Sequence, residues 1–160
     1  METEYMTDTA PPLLARGKYW QELEAGVAGR TLRRTVTETD LVNFISVTGM
    51  LEAIFIDADY PHAAIPGRLV PAALTQGLIE GMLFQTAIQA TGLALLENNM
   101  KALAPVRVND SIWAILEITE IRPTSANNRA IVTSKVDVFN QHGEAVMTYL
   151  VKRLVAGRPD

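Results

Sequence analysis

The sequence predicts an α+β fold: one buried helix followed by a long antiparallel meander. Two observations carry this. From Pro71 to about Ala90 apolar residues recur on every side of a helical wheel, and a helix that is apolar nearly all round is an interior helix. After Gly92 the chain turns β-rich, in four runs separated by turn sequences.

Length and composition set the outer limits. The chain has 160 residues, 48% of them apolar, enough for one domain with its own core, and no linker-like stretch divides it, so residues 1–160 are read as a single domain. No cysteine is present, which excludes disulfides, thiolate catalysis and Cys-ligated zinc; His62 and His142 are too few for a His-rich metal site, and no metal or cofactor is expected. A net charge of −4 argues against nucleic acid as a partner. The cluster Arg30, Arg33 and Arg34 is either a solvated strand edge or a contact for ligand phosphates. The opening METEYMTDTAPP lacks a signal-like pattern, so a cytoplasmic location is expected.

Residues 1–17 read as a flexible tail, anchored after it by Tyr19 and Trp20. Gly26 and Gly29 mark turns, and Thr31 to Thr37 alternates as a strand. Thr37 caps a helix with Asp40 as its capping-box partner; Leu41, Phe44, Ile45 and Thr48 recur at helical spacing, and Gly49 ends it. Residues 50–70, with Pro61, Pro66 and Gly67, form an irregular loop with one helical turn near Asp57 to Tyr60. Pro71 suits the start of the buried helix and Thr91-Gly92 its end. Its apolar span approaches membrane length, but Pro71, Gly77, Glu80, Gly81 and the glutamines interrupt it, so no membrane span is expected. The β-runs are Met100 to Val108, Ser111 to Ile121, Arg129 to Asn140 and Ala145 to Val155. Val-Asn-Asp-Ser, the polar loop Pro123 to Asn128, and Asn-Gln-His-Gly-Glu join them as hairpins.

Glu80 is the only charged residue between Arg68 and Glu97, in the middle of the buried helix. A bare buried charge is very costly, so it must be paired, hydrated, protonated or put to use. It shares a helical face with Ala73, Gly77, Gly81 and Phe84, whose small members admit a ligand or a second subunit.

The segment Thr48 to Ala73 resembles the signature of the MaoC-like dehydratases, relatives of the (R)-specific enoyl-CoA hydratases. That signature runs Gly-Asp-x-Asn-Pro-x-His-x-Asp and, further on, Gly-x-Ile/Val-Val-His-Gly-Met. Gly49, Asp57, Gly67 and Val70 match it. The family's catalytic Asp falls on Met50, its Asn on Glu52, its Pro on Ala53, its catalytic His on Phe55, and its second His-Gly on Pro71-Ala72. The resemblance, covering roughly Lys18 to Leu154, implies a hotdog fold, in which an antiparallel sheet wraps a central helix. It implies an acyl-CoA or other acyl-thioester ligand and hydratase or dehydratase chemistry whose acid–base pair is altered or absent. Met50, Phe55 and Ala72 are then candidate binding residues, with the Ala72 N–H polarising the thioester carbonyl. Glu80 and Glu52 are the candidate catalytic carboxylates; lining one pocket, their repulsion would raise at least one pKa, giving a general acid beside a base in place of the missing pair. His62 and His142 read as loop and hairpin residues, and Asp57 as a support of the loop. Thioester hydrolysis by Glu80 and a non-catalytic binding subunit are the rival functions. A homodimer or higher oligomer is expected from the Ala73, Gly77, Gly81 stripe and from the subunit seams of such folds.

Overall fold

A computed structural model describes residues 13–159, so most of the expected tail lies outside the described residues. Its last residue does not behave as a tail: Gly17 is buried, its N–H donates to Gln89 O at 2.8 Å, and Lys18 N–H donates to Ala87 O at 3.2 Å. A Cβ at Gly17 would lie 2.7 Å from the backbone of Ala87, Ile88 and Gln89, so only glycine fits against this helix end. Beyond it Trp20 and Leu23 pack on Ile118, Val132 and Val155, as the anchoring role of Trp20 requires, while Tyr19 serves Arg16, which stacks over its ring at 4.1 Å.

The strand expected over Thr31 to Thr37 shrinks to the two residues of β2 (Arg34–Thr35), and a further strand, β1 (Ala28–Arg30), lies ahead of it across Gly29, where a turn was expected. Thr31 breaks them apart by spending its backbone N–H and its Oγ1 on Ala114, at 2.9 Å each.

Helix α1 (Glu38–Thr48) has the ends the sequence assigns it. Thr37 Oγ1 accepts from Asp40 N–H at 3.1 Å, Asp40 Oδ2 accepts from Thr37 N–H at 2.9 Å, and Gly49 takes the left-handed conformation with φ 72°. Burial works against the charge on Asp40, but its hydrogen bonds from Thr37 and its ion pair with Arg34 at 2.6 Å outweigh it and hold the carboxyl below its ordinary value. A depressed folded-state pKa gives stability that is present above the unfolded value and lost as pH falls through the folded one. Asp40→Asn should therefore flatten the acid end of the stability-against-pH curve, and Thr37→Ala should cost about 1 kcal/mol in urea denaturation at neutral pH.

The helical turn in the following loop is α2 (Ala53–Ile56), four residues ahead of its expected place. Helix α3 (Ala72–Thr86) starts after Pro71 and stops short of Ala90, where Ala87 and Gln89 turn their carbonyls to the Gly17 segment. It is buried on one side only. Leu74, Thr75, Ile79 and Leu83 enter the core, while Ala73, Gly77 and Phe84 are exposed; the all-round apolar pattern is an interior face plus an open one.

The long strands β3 (Gly92–Ala102), β4 (Ser111–Pro123), β5 (Arg129–Phe139) and β6 (Ala145–Ala156) complete a six-stranded antiparallel sheet of order β1-β4-β5-β6-β3, with β2 also paired to β4. Only β4, β5 and β6 form the expected meander. The first run begins at Gly92 instead of Met100, and it pairs with β6, Met100 opposite Tyr149, instead of forming a hairpin with β4. The inward residues Ile112, Ala114, Val136, Val138, Tyr149 and Val151 meet Leu74, Ile79 and Leu83 of α3 in the main core. This is the α+β arrangement of a sheet wrapped around one helix.

Candidate functional site

Two cavities lie along the first half of α3 and share no lining residue. The first, of about 310 Å³, lies between α2, the segment entering α3, the end of β3 and the start of β6. Its lining includes Phe55, Ala72, Leu103 and Met147, and the only polar side chain there is Thr75, whose Oγ1 is 3.5 Å from Pro71 O. Phe55 is held in place from behind. Arg68 donates to its carbonyl and forms an ion pair with Glu38 at 2.5 Å, which keeps the Glu38 carboxyl below its ordinary value. The strand-like contact continues as Val70 N–H donates to Val106 O at 2.9 Å and Val108 N–H to Arg68 O at 3.0 Å. Gly67, at φ 100°, makes the turn into this segment where a side chain would be strained.

At the cavity wall the first helical hydrogen bonds run from Leu74 and Thr75 N–H to Pro71 O, at 3.0 and 3.1 Å. The N–H groups of Ala72 and Ala73 precede them and have no helical acceptor, so they form a donor pair at the positive end of the helix dipole. Such a pair suits a carbonyl oxygen that gains negative charge.

The second cavity, of about 200 Å³, lies on the neighbouring face of α3. It is lined by Ala73, Gln76, Gly77 and Glu80 from the helix and by Leu95, Asn98 and Val151 from the sheet. Glu80 sits at its end, and its charge is met within the protein. Arg153 Nη2 donates to both carboxylate oxygens, at 2.7 and 2.6 Å, and Tyr149 OH donates to Oε1 at 2.7 Å. Arg153 is 6% exposed and Tyr149 1%. Burial first, and then the Glu80 charge, push the Tyr149 hydroxyl far above its ordinary value, so it remains a donor.

The structure thus brings Phe55 and Ala72 together at one cavity and places Glu80 in the other. Met50 is 40% exposed and lines neither. Glu52 is exposed at the N-cap of α2 without a capping hydrogen bond, so the expected Glu52–Glu80 pocket is not formed. Nor do Ala72 and Glu80 share a reacting centre: at about 1.5 Å per residue they are about 12 Å apart along the helix. Arg153 and Tyr149 were missed in the sequence. The signal was there, since Arg153 occupies the inward phase of β6 shared by Tyr149, Val151 and Val155. Asp57 accepts from Asp59 N–H at 3.0 Å in its turn, His62 packs edge-on against Tyr60, and His142 lies in the β5–β6 hairpin. Of the arginine cluster, Arg34 is paired with Asp40 and Arg33 donates to Gln141 O at 2.9 Å, in a groove beside Trp113 that shares no residue with either cavity.

No family profile matches the chain. The 3-hydroxybutyryl-CoA dehydratase of Methylorubrum extorquens is 27% identical to it over 131 residues, covering 81% of this chain and 82% of that protein. The solved MaoC-like dehydratase from Rhodospirillum rubrum has a TM-score of 0.81 at 22% identity, covering 90% of this chain and 100% of that one. A Mycobacterium tuberculosis protein with a double hotdog fold also reaches a TM-score of 0.81, at 16% identity, over 90% of this chain and 46% of that one. The fold is therefore a hotdog. The homologues and structural neighbours of the chain are MaoC-like dehydratases and (R)-specific enoyl-CoA hydratases.

Proposed function

We propose that the chain binds acyl-CoA in the manner of an enoyl-CoA hydratase or dehydratase, in the cytosol, with the acid–base pair of that chemistry missing from its site. The observation that carries this is the Ala72 N–H, without a helical acceptor, at the wall of an apolar cavity that has no titratable side chain. A thioester carbonyl on that donor directs its acyl chain into the cavity, past Phe55 and Met147.

Ala72→Pro tests the carbonyl position. Proline is tolerated at the first residue of a helix, and Pro71 has ψ 137°, compatible with a proline after it, so the change deletes one donor and keeps the helix. In calorimetry wild type should prefer butyryl-CoA over the S-butyl thioether of CoA, which lacks the carbonyl. The variant should lose about tenfold of that preference, as one hydrogen bond to a polarised oxygen is worth. An unchanged preference removes the carbonyl from α3.

A second reading rests on Glu80 being the one titratable side chain lining either cavity. There Glu80 is the catalytic base, and Glu80→Gln abolishes whatever turnover exists.

The same proposal includes a homodimer. Strand β3 is paired on one side only, by β6, and exposes Leu93, Leu95 and Leu96 along its length. A long apolar edge of this kind is stable in solution when another strand covers it. Sedimentation at micromolar concentration should show no 17.5 kDa species, and Leu96→Lys should produce one. Among the described residues no helix is long and apolar enough to cross a membrane.

A further inference from the structure

We propose that a small cavity at the far end of α3 binds a monovalent anion of the size of chloride, held by Arg153 and Ser134. The cavity, of about 40 Å³, shares no residue with either of those described above. Ala87 and Ile88, just past the last turn of α3, form one wall, Leu23 another, and Ile118, Val132 and Val155 of the sheet the third. Of the whole lining only Lys18 is exposed, so Lys18 marks the way out to solvent.

Ser134 and Arg153 point inward from neighbouring strands, Ser134 opposite Val151 and Arg153 opposite Val132, which sets them diagonally to one another. They are 3% and 6% exposed. Among the described residues the Arg153 side chain donates only from Nη2, to Glu80, which leaves the Nε and Nη1 hydrogens unmatched, and the Ser134 hydroxyl makes no hydrogen bond at all. Yet Thr91 Oγ1 is the one fully enclosed side-chain N or O atom there without a partner. The spare donors of Arg153 and Ser134 therefore keep some open surface, and the cavity they line supplies it.

The chemistry of this lining selects by charge. Its side chains offer the guanidinium N–H groups and a hydroxyl as donors, with the Ser134 oxygen as the sole acceptor, in walls otherwise apolar up to Lys18. Water needs acceptors as well as donors; an anion needs donors alone. Glu80 neutralises the guanidinium through Nη2, and the Lys18 ammonium, which forms no ion pair among the described residues, supplies the charge that balances a bound anion. The negative end of α3 is close by, but its neighbouring carbonyls are taken, Ala87 O by Lys18 N–H and Ile88 O by Thr91 and Gly92 N–H. Size narrows the class. One water needs about 10–15 Å³ of such space, so 40 Å³ holds about three waters or one halide ion and excludes sulfate, phosphate and organic acids.

Bromide, which replaces chloride and scatters X-rays anomalously, is the probe. Crystals of the wild-type protein grown in bromide should show an anomalous peak within hydrogen-bonding reach of both Arg153 and Ser134. In urea denaturation, with gluconate too large for the cavity holding ionic strength constant, each tenfold rise in bromide above its dissociation constant should multiply the folding equilibrium constant tenfold. Ser134→Ala should raise that dissociation constant about tenfold, the value of one hydrogen bond to a charge. Lys18→Gln, at an exposed position that leaves the core untouched, should raise it about threefold. Ordered water in place of bromide, or an empty cavity, overturns the proposal. So does a bromide dependence identical in wild type and both variants, for it then belongs to the protein surface at large. None of these outcomes bears on acyl-CoA binding, which was placed at the other end of α3.

Discussion

Mixed with crotonyl-CoA, the protein should bleach the enoyl-thioester band at no more than about 10⁻³ per second. An ordinary enzyme turns over at about 10 per second, and the absence of an acid and a base removes about 10² each even at the low end of their usual contributions. The two positions at which the family resemblance puts that pair are Met50 and Phe55, neither of which moves a proton. Nothing else in the first cavity replaces them, since its lining has no titratable group. Glu80 is too far from the Ala72 donor and is held by Arg153 and Tyr149 on β6. Met50→Asp combined with Phe55→His should raise the rate, because Phe55 already faces the cavity from a turn braced by Arg68. Turnover near 10 per second in wild type, abolished by Glu80→Gln, would transfer the chemistry to Glu80.

Arg153→Leu should cost about 3 kcal/mol or more of folding stability in urea denaturation, a large share of the ~5–15 kcal/mol typical of a domain. The change leaves Glu80 between a helix and a sheet with only the Tyr149 hydroxyl as donor. Removing one partner of a buried pair is far more costly than removing both, because the remaining charge has lost its compensation. Arg153→Leu with Glu80→Leu should therefore be more stable than Arg153→Leu alone. If the two single changes simply add, the pair contributes little to holding α3 on β6.

Local chemistry was legible and long-range pairing was not. The ends of α1 could be read because Thr37, Asp40 and Gly49 act on their own backbone neighbours. The end of α3 could not, since the groups that terminate it belong to Gly17 and Lys18, some seventy residues earlier. The start of β3 was hidden for another reason. From Gly92 to Asn99 every residue is exposed, so no alternation of burial marks the strand, and Glu97-Asn98-Asn99 has little strand preference of its own. At the site, Phe55 and Ala72 came from the signature frame, and the structure places both at the first cavity. Glu80 stands out in the sequence as an isolated charge, but its partners lie about seventy residues later on β6, a distance that helical periodicity does not reach.

The place of β6 between β5 and β3 also sets an order of events during synthesis. Strand β6, which leaves the ribosome after the others of this sheet, is the one that joins the earlier ones, so β3 waits through some forty residues of further translation with both edges open. Its leucines and the Glu80 carboxylate are bare throughout that interval, and pairing over such sequence distances is slow. The nascent chain is consequently most prone to self-association just before β6 arrives, and that interval is when a chaperone has most to protect.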